Sequence, residues 1–226
     1  MNRIILLMLS LVIISACNDT FDGYKFYFFP VDDFDTPKVY AYRNQNDNKD
    51  NIYYALKSIR EKDSKYLHIE VYDKDFNKIE SLRQKVTENG VFAVEYYTSL
   101  DSKEYKMKIY SDTVLLWDYK NNDKFVFEAS CNIPESRNQQ HTKKIKWFTG
   151  KSGTSNFSGV DYKTIEVCED CYFNDSYDKV SIKKSKNYYA RGLGMIGFTL
   201  NESDNSSKNY KLDKILNFNE WKRIQN

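Results

Sequence analysis

The sequence predicts a mainly β fold: an antiparallel meander forming a curved sheet, half-barrel or sandwich, with little helix. Three observations predict it. The stretch YLHIEVY (66–72) puts Leu67, Ile69 and Val71 on one face and His68 and Glu70 on the other, the period of a half-buried strand, and YKMKIY (105–110) repeats the pattern. The 226 residues include 19 Tyr and 14 Phe but only 8 Gly and 3 Pro, a composition that suits pleated surfaces and argues against disorder. Polar clusters such as DKDFN (73–77), NNDK (121–124) and NESDNSSKN (201–209) lie between neighbouring strand candidates as hairpin material.

In chain order, the remaining strand candidates are YKFYFF (24–29), KVYAYR (38–43), IYYALKSI (52–59), VFAVEYY (91–97), VLLWDY (114–119), KFVFEAS (124–130), IKWFTG (145–150), KTIEVC (163–168), KVSIKK (179–184), YYARGLGMIGFTL (188–200) and YKLDKIL (210–216). NKIESLRQKVTEN (77–89) fits either a helix, through the spacing of Ile79, Leu82 and Val86, or an irregular strand. NIPESRNQQHTKK (132–144) lacks periodicity and marks the place where a β-rich domain spanning 23–226 would sub-divide. NEWKRIQN (219–226) adds a short helical turn. No repeat of solenoid or propeller length recurs.

The N-terminus stands apart. Its apolar run from Ile4 to Ala16, interrupted only by Ser10 and Ser15, is shorter than the about 20 residues a spanning helix requires. Arg3 in front and small residues behind match a secretory signal peptide. Ile14-Ser15-Ala16-Cys17, directly after that run, resembles the lipobox of bacterial lipoproteins. The resemblance implies a signal peptide (1–16) cut before Cys17, a diacylglycerol on the Cys17 thiol with a further acyl chain such as palmitate, and a lipidated tether (17–22). Several acyl chains hold firmly, since each buried CH2 contributes ~0.8 kcal/mol. Asn18 stands where inner-membrane lipoproteins carry Asp, which implies the outer membrane, facing the periplasm or the surface. Asp19 and Asp22 resemble the surface-export signal of Bacteroidetes lipoproteins.

Removing residues 1–16 deletes Arg3 alone among the charged side chains, lowering the basic count from 34 by one against 32 acidic. A balance so near neutrality gives no expectation of a nucleic-acid partner.

Several motifs invite chemistry. GLGMIG (192–197) has the spacing of a dinucleotide loop, but the required helix is replaced by FTLNESDNSSKNYKL, so the glycines mark a bend or close approach of strands. YYARGLGMIGF followed by YKLDKIL resembles the closing hairpin of β-rich envelope lipoproteins of unknown function from Bacteroidetes-like bacteria, which implies a curved sheet. GKSGTS (150–155) lacks the Gly of a phosphate loop, having Ile145 in its place, and reads as a turn. With Cys17 acylated, Cys131, Cys168 and Cys171 remain in an oxidising space, where a disulfide between two of them is expected. CEDC (168–171) reads as a strand running into a polar loop rather than a redox site. His68 and His141 have no neighbouring ligand pattern, and Asp32, Asp33 and Asp35 lack the distal Glu of a calcium loop. Tyr53-Tyr54, Tyr96-Tyr97 and Tyr188-Tyr189 must each turn one ring to either side of a strand.

No catalytic residue, cofactor or metal ligand emerges. The expected role is a non-enzymatic envelope lipoprotein, a binding or structural module meeting the membrane through its anchor and a protein or glycan partner. An inhibitor or immunity lipoprotein that neutralises a toxic effector, and a glycan-binding surface lipoprotein, are the alternatives.

Overall fold

Each strand pairs with the one before it. The protein, seen in a computed structural model, is described over residues 23–118, 123–134, 138–175, 179–201 and 206–225. The signal peptide, the tether and Cys17 lie outside these. The strands are β1 (Lys38–Asn44), β2 (Asn51–Glu61), β3 (Ser64–Tyr72), β4 (Lys78–Val86), β5 (Gly90–Leu100), β6 (Lys103–Lys106), β7 (Lys108–Leu116), β8 (Phe125–Ile133), β9 (Asn138–Phe157), β10 (Val160–Asp175), β11 (Lys179–Ala190), β12 (Gly194–Asn201) and β13 (Ser207–Asn217). β6 and β7 act as one strand, both bonded to β5, and in the gap the Met107 N–H donates to the Tyr96 carbonyl over 2.8 Å.

Antiparallel pairing of β1 with β13, Lys38 opposite Asn217, closes the meander into a 12-strand barrel. Closure satisfies the edge N–H and C=O groups that an open sheet exposes. The fold is mainly β with little helix, and of the shapes expected, the half-barrel is completed.

Three local expectations change, and one pair of alternatives resolves. Of helix or irregular strand over 77–89, the strand holds: Lys78–Val86 form β4, with Glu80, Leu82, Gln84 and Val86 facing one side and a register shift between Arg83 and Gln84. Residues 132–144 are no linker, since β8 and β9 pair up to Ile133 opposite Asn138. β9 runs on through GKSGTS, which absorbs Gly150 (φ 73°) and a register shift between Ile165 and Val167 as a bulge, and β10 runs through CEDC. YKFYFF is not a strand: Tyr24–Tyr27 and Val31–Phe34 are 3-10 turns that fold into one end of the barrel.

There Phe28, Phe29 and Phe34 pack edge-on against one another and against Tyr40, and Tyr24 stacks on Phe148. Ser58 Oγ donates to the Val31 carbonyl. YYARGLGMIGFTL, expected as one strand, is the β11–β12 hairpin. Its Gly194 (φ 89°) lies beneath the Phe29 ring, where any Cβ would collide with it, so this glycine seats the plug. Tyr40 Oη and Tyr42 Oη donate to the Leu193 and Met195 carbonyls at 2.9 and 2.8 Å, tying β1 to the same turn.

Outside the barrel, helix α1 (Phe218–Gln225) lays Trp221 over Val39, Ala41 and Tyr53. Asn217 Oδ1 accepts from the N–H groups of Asn219 and Glu220, and Glu220 Oε2 accepts from the Asn217 N–H, a reciprocal cap.

Candidate functional site in the barrel lumen

Strict alternation sends every second side chain of each strand inward. On β9 those are Lys144 and Lys146, which stand opposite Cys171 and Glu169 of β10. On β4 the inward residue is Glu80, and on β2, β5 and β11 it is the tyrosine of each pair that faces the lumen: Tyr54, Tyr96 and Tyr189. At the end of the barrel away from the plug, Tyr54, Glu80, Tyr96, Lys144, Glu169 and Cys171 line a cavity of about 280 Å3, with Lys146 and Tyr189 outside its lining.

The charges in it are paired. Lys144 Nζ lies 3.3 Å from Glu80 Oε2, and Tyr96 Oη donates to the same carboxylate oxygen at 2.7 Å. Lys146 Nζ lies 3.1 Å from Glu169 Oε2, with both side chains about 15% exposed. Burial alone would push the Glu80 carboxyl up, but the Lys144 charge and the Tyr96 hydrogen bond outweigh it and hold it below the ordinary carboxylate range. Burial likewise works against the Lys144 and Lys146 ammonium groups, and their carboxylate partners reverse it, so both stay protonated beyond the usual lysine range. Burial raises Tyr54, Tyr96 and Tyr189, and it pushes the Cys171 thiol up to about 12. Each of these shifts moves its group away from neutrality.

Cys131, Cys168 and Cys171 are free thiols. Within the continuous strand β10 the i,i+3 spacing sends Cys168 and Cys171 to opposite faces, and Cys131 sits opposite Gln140, which precedes Lys144, the partner of Cys171, by four residues on β9. The expected disulfide therefore has no geometric basis here. Among the described residues no cluster of His, Cys, Asp and Glu is arranged to hold a metal. Asp32 instead bonds Lys65 at 2.7 Å and Arg60 at 3.1 Å. His141 Nε2 meets Glu128 at 3.0 Å, and His68 lies beside Glu70.

Sequence reasoning missed the lumen cluster because lysines and glutamates in strands look solvated. The signal that finds it is the run HTKKIKWF, in which Thr142, Lys144, Lys146 and Phe148 share one face with an apolar residue at its end.

No protein-family model matches the chain, and no curated protein matches it. Solved structures do. A protein from Parabacteroides distasonis inferred to be a lipoprotein superposes with a TM-score of 0.51 at 9% identity, covering 84% of this chain and 98% of its own. A protein from Bacteroides fragilis inferred to be exported, with a YmcC-like fold, superposes with a TM-score of 0.49 at 9% identity, over 80% of this chain and 94% of its own. At such identity the likeness to the first is one of fold.

Proposed function

We propose that this chain is an exported envelope protein, held at the outer membrane by lipid on Cys17, whose barrel is a non-enzymatic binding module. The observation that carries the binding half is the lumen: charged and hydroxyl groups converge on one cavity, and their proton affinities shift away from neutrality, which suits holding a ligand better than trading protons with it. The anchoring half is supported by the apolar run ending at Cys17 and by the fold shared with a protein inferred to be a lipoprotein.

Growth with an alkyne-bearing fatty acid tests the anchor. The expected result is label on the wild-type chain that disappears in Cys17→Ala; label unchanged by that substitution overturns the anchor. A panel of hydrolase substrates offered to the purified protein tests the other half, with turnover at any of them refuting a purely binding role.

A further inference from the structure

Among the described residues, Lys183 is a lumen charge without a counter-charge. It projects from β11 in register with Cys171 of β10, which in turn stands opposite Lys144 of β9. The Lys144 and Lys183 backbones are thus two strands apart, ~10 Å at the usual strand spacing. Lys144 has Glu80 and Lys146 has Glu169, whereas Lys183 makes no ion pair among the described residues; its ammonium lies 5.8 Å from the centre of the Phe173 ring. Of the charges lining the cavity, Glu80 is taken by Lys144 and Glu169 by Lys146, which lies behind the lining, so Lys183 is left as a cation in excess, which is costly where it is partly desolvated.

Beside Lys183, on the strand paired with β11 and onward to β2 and β3, part of the lining is apolar. Ile52, Val71, Phe198 and Leu200 line the same cavity from β2, β3 and β12. Gln140 Oε1, also at the cavity, is a buried acceptor with no donor among the described residues. A net cation on one side and hydrocarbon on the other complement a molecule divided in the same way.

We infer that the lumen binds a small amphipathic anion, with its acidic head at Lys183 on the Lys144 side and its apolar body against Ile52, Phe198 and Leu200. The inference rests on reading the barrel as a binding module and is independent of the anchor at Cys17. The larger cavity beside the plug, about 590 Å3, lacks this excess of cations, because Lys25 and Lys65 line it together with Asp32, Asp63 and Glu88, and Lys65 is paired with Asp32.

The test uses the chain as purified from membranes into nanodiscs, incubated with a diazirine-bearing decanoic acid or with the matching decanol, then irradiated. Peptide mass spectrometry reads where each probe is joined. The acid is expected to mark the lumen strands β10 to β12, with the alcohol about tenfold weaker. Lys183→Gln is expected to lower the acid's yield about tenfold and leave the alcohol's unchanged, and Lys183→Arg to restore it. Equal labelling by acid and alcohol, acid labelling that survives Lys183→Gln, or no label inside the barrel each overturns the inference. Intact mass of the same samples reads acylation of Cys17 separately, so a missing anchor and a missing ligand site give different results.

Discussion

The two ends of the lumen are made by the same strands and filled in opposite ways. At the plugged end, the chain ahead of β1 turns back inside and fills the space with Phe28, Phe29 and Phe34 against Tyr40 and Trp117. At the other end, Glu80, Lys144, Lys146 and Glu169 hold one another across an unfilled cavity. Backbone pairing is equally complete at both. Closing a barrel therefore settles its outline and leaves its contents to the alternating side chains, with aromatic packing concentrated at one end and paired charges at the other.

Removing plug volume should be the most damaging change. Phe34 is fully buried, and Phe34→Ala is expected to cost about 4 kcal/mol in urea unfolding. A loss below about 1 kcal/mol would mean the plug is not part of the cooperative core.

At the polar end, Glu80→Ala strands the Lys144 ammonium and should cost about 3 kcal/mol, while the double replacement Glu80→Met with Lys144→Met should recover most of it. A double variant as unstable as the single one would show that the end is held by something other than this pair.

Acid should separate the ends further. Glu70, on the outer face near the polar end, is held down to about 2 by His68 beside it and by hydrogen bonds from Lys78 and Tyr72, both 2.8 Å away, with burial opposing them. Its folded value lies below its unfolded value, so its contribution is complete above about pH 5 and is lost as pH falls toward 2. Unfolding curves across that range should show stability falling, with a smaller slope in Glu70→Gln; Phe34→Ala should leave the slope unchanged.

The smallest effect concerns reactivity. Burial raises all three free thiols, Cys171 to about 12, so iodoacetamide at pH 8 should modify the folded protein slowly and Cys171 slowest, as read by mass spectrometry. Fast modification of Cys171 would show that the polar end opens readily.

How much of this was legible depends on range. The strands YLHIEVY and VFAVEYY announce themselves because alternation is local, and NEWKRIQN does so through its helix. Closure was not legible, since β1 and β13 recognise each other only through contacts from opposite ends of the chain. The segment YKFYFF has strand composition but no neighbour to pair with, and tertiary burial made it a plug. The candidate site was hidden for a related reason: a strand lysine faces water in an open sheet and a counter-charge in a closed one. The paired tyrosines came nearest to revealing it, since one ring of each pair, Tyr54, Tyr96 and Tyr189, turns into the lumen.

The seam between β1 and β13 also sets an order in time. Every other strand neighbours its predecessor in the chain and can zip up hairpin by hairpin as residues become available. The last of them cannot form until residues 207–217 arrive, and by then β1 has been waiting unpaired along one side throughout. An emerging chain therefore spends its synthesis as an open ribbon with an unpaired edge, and the barrel closes in a single late step.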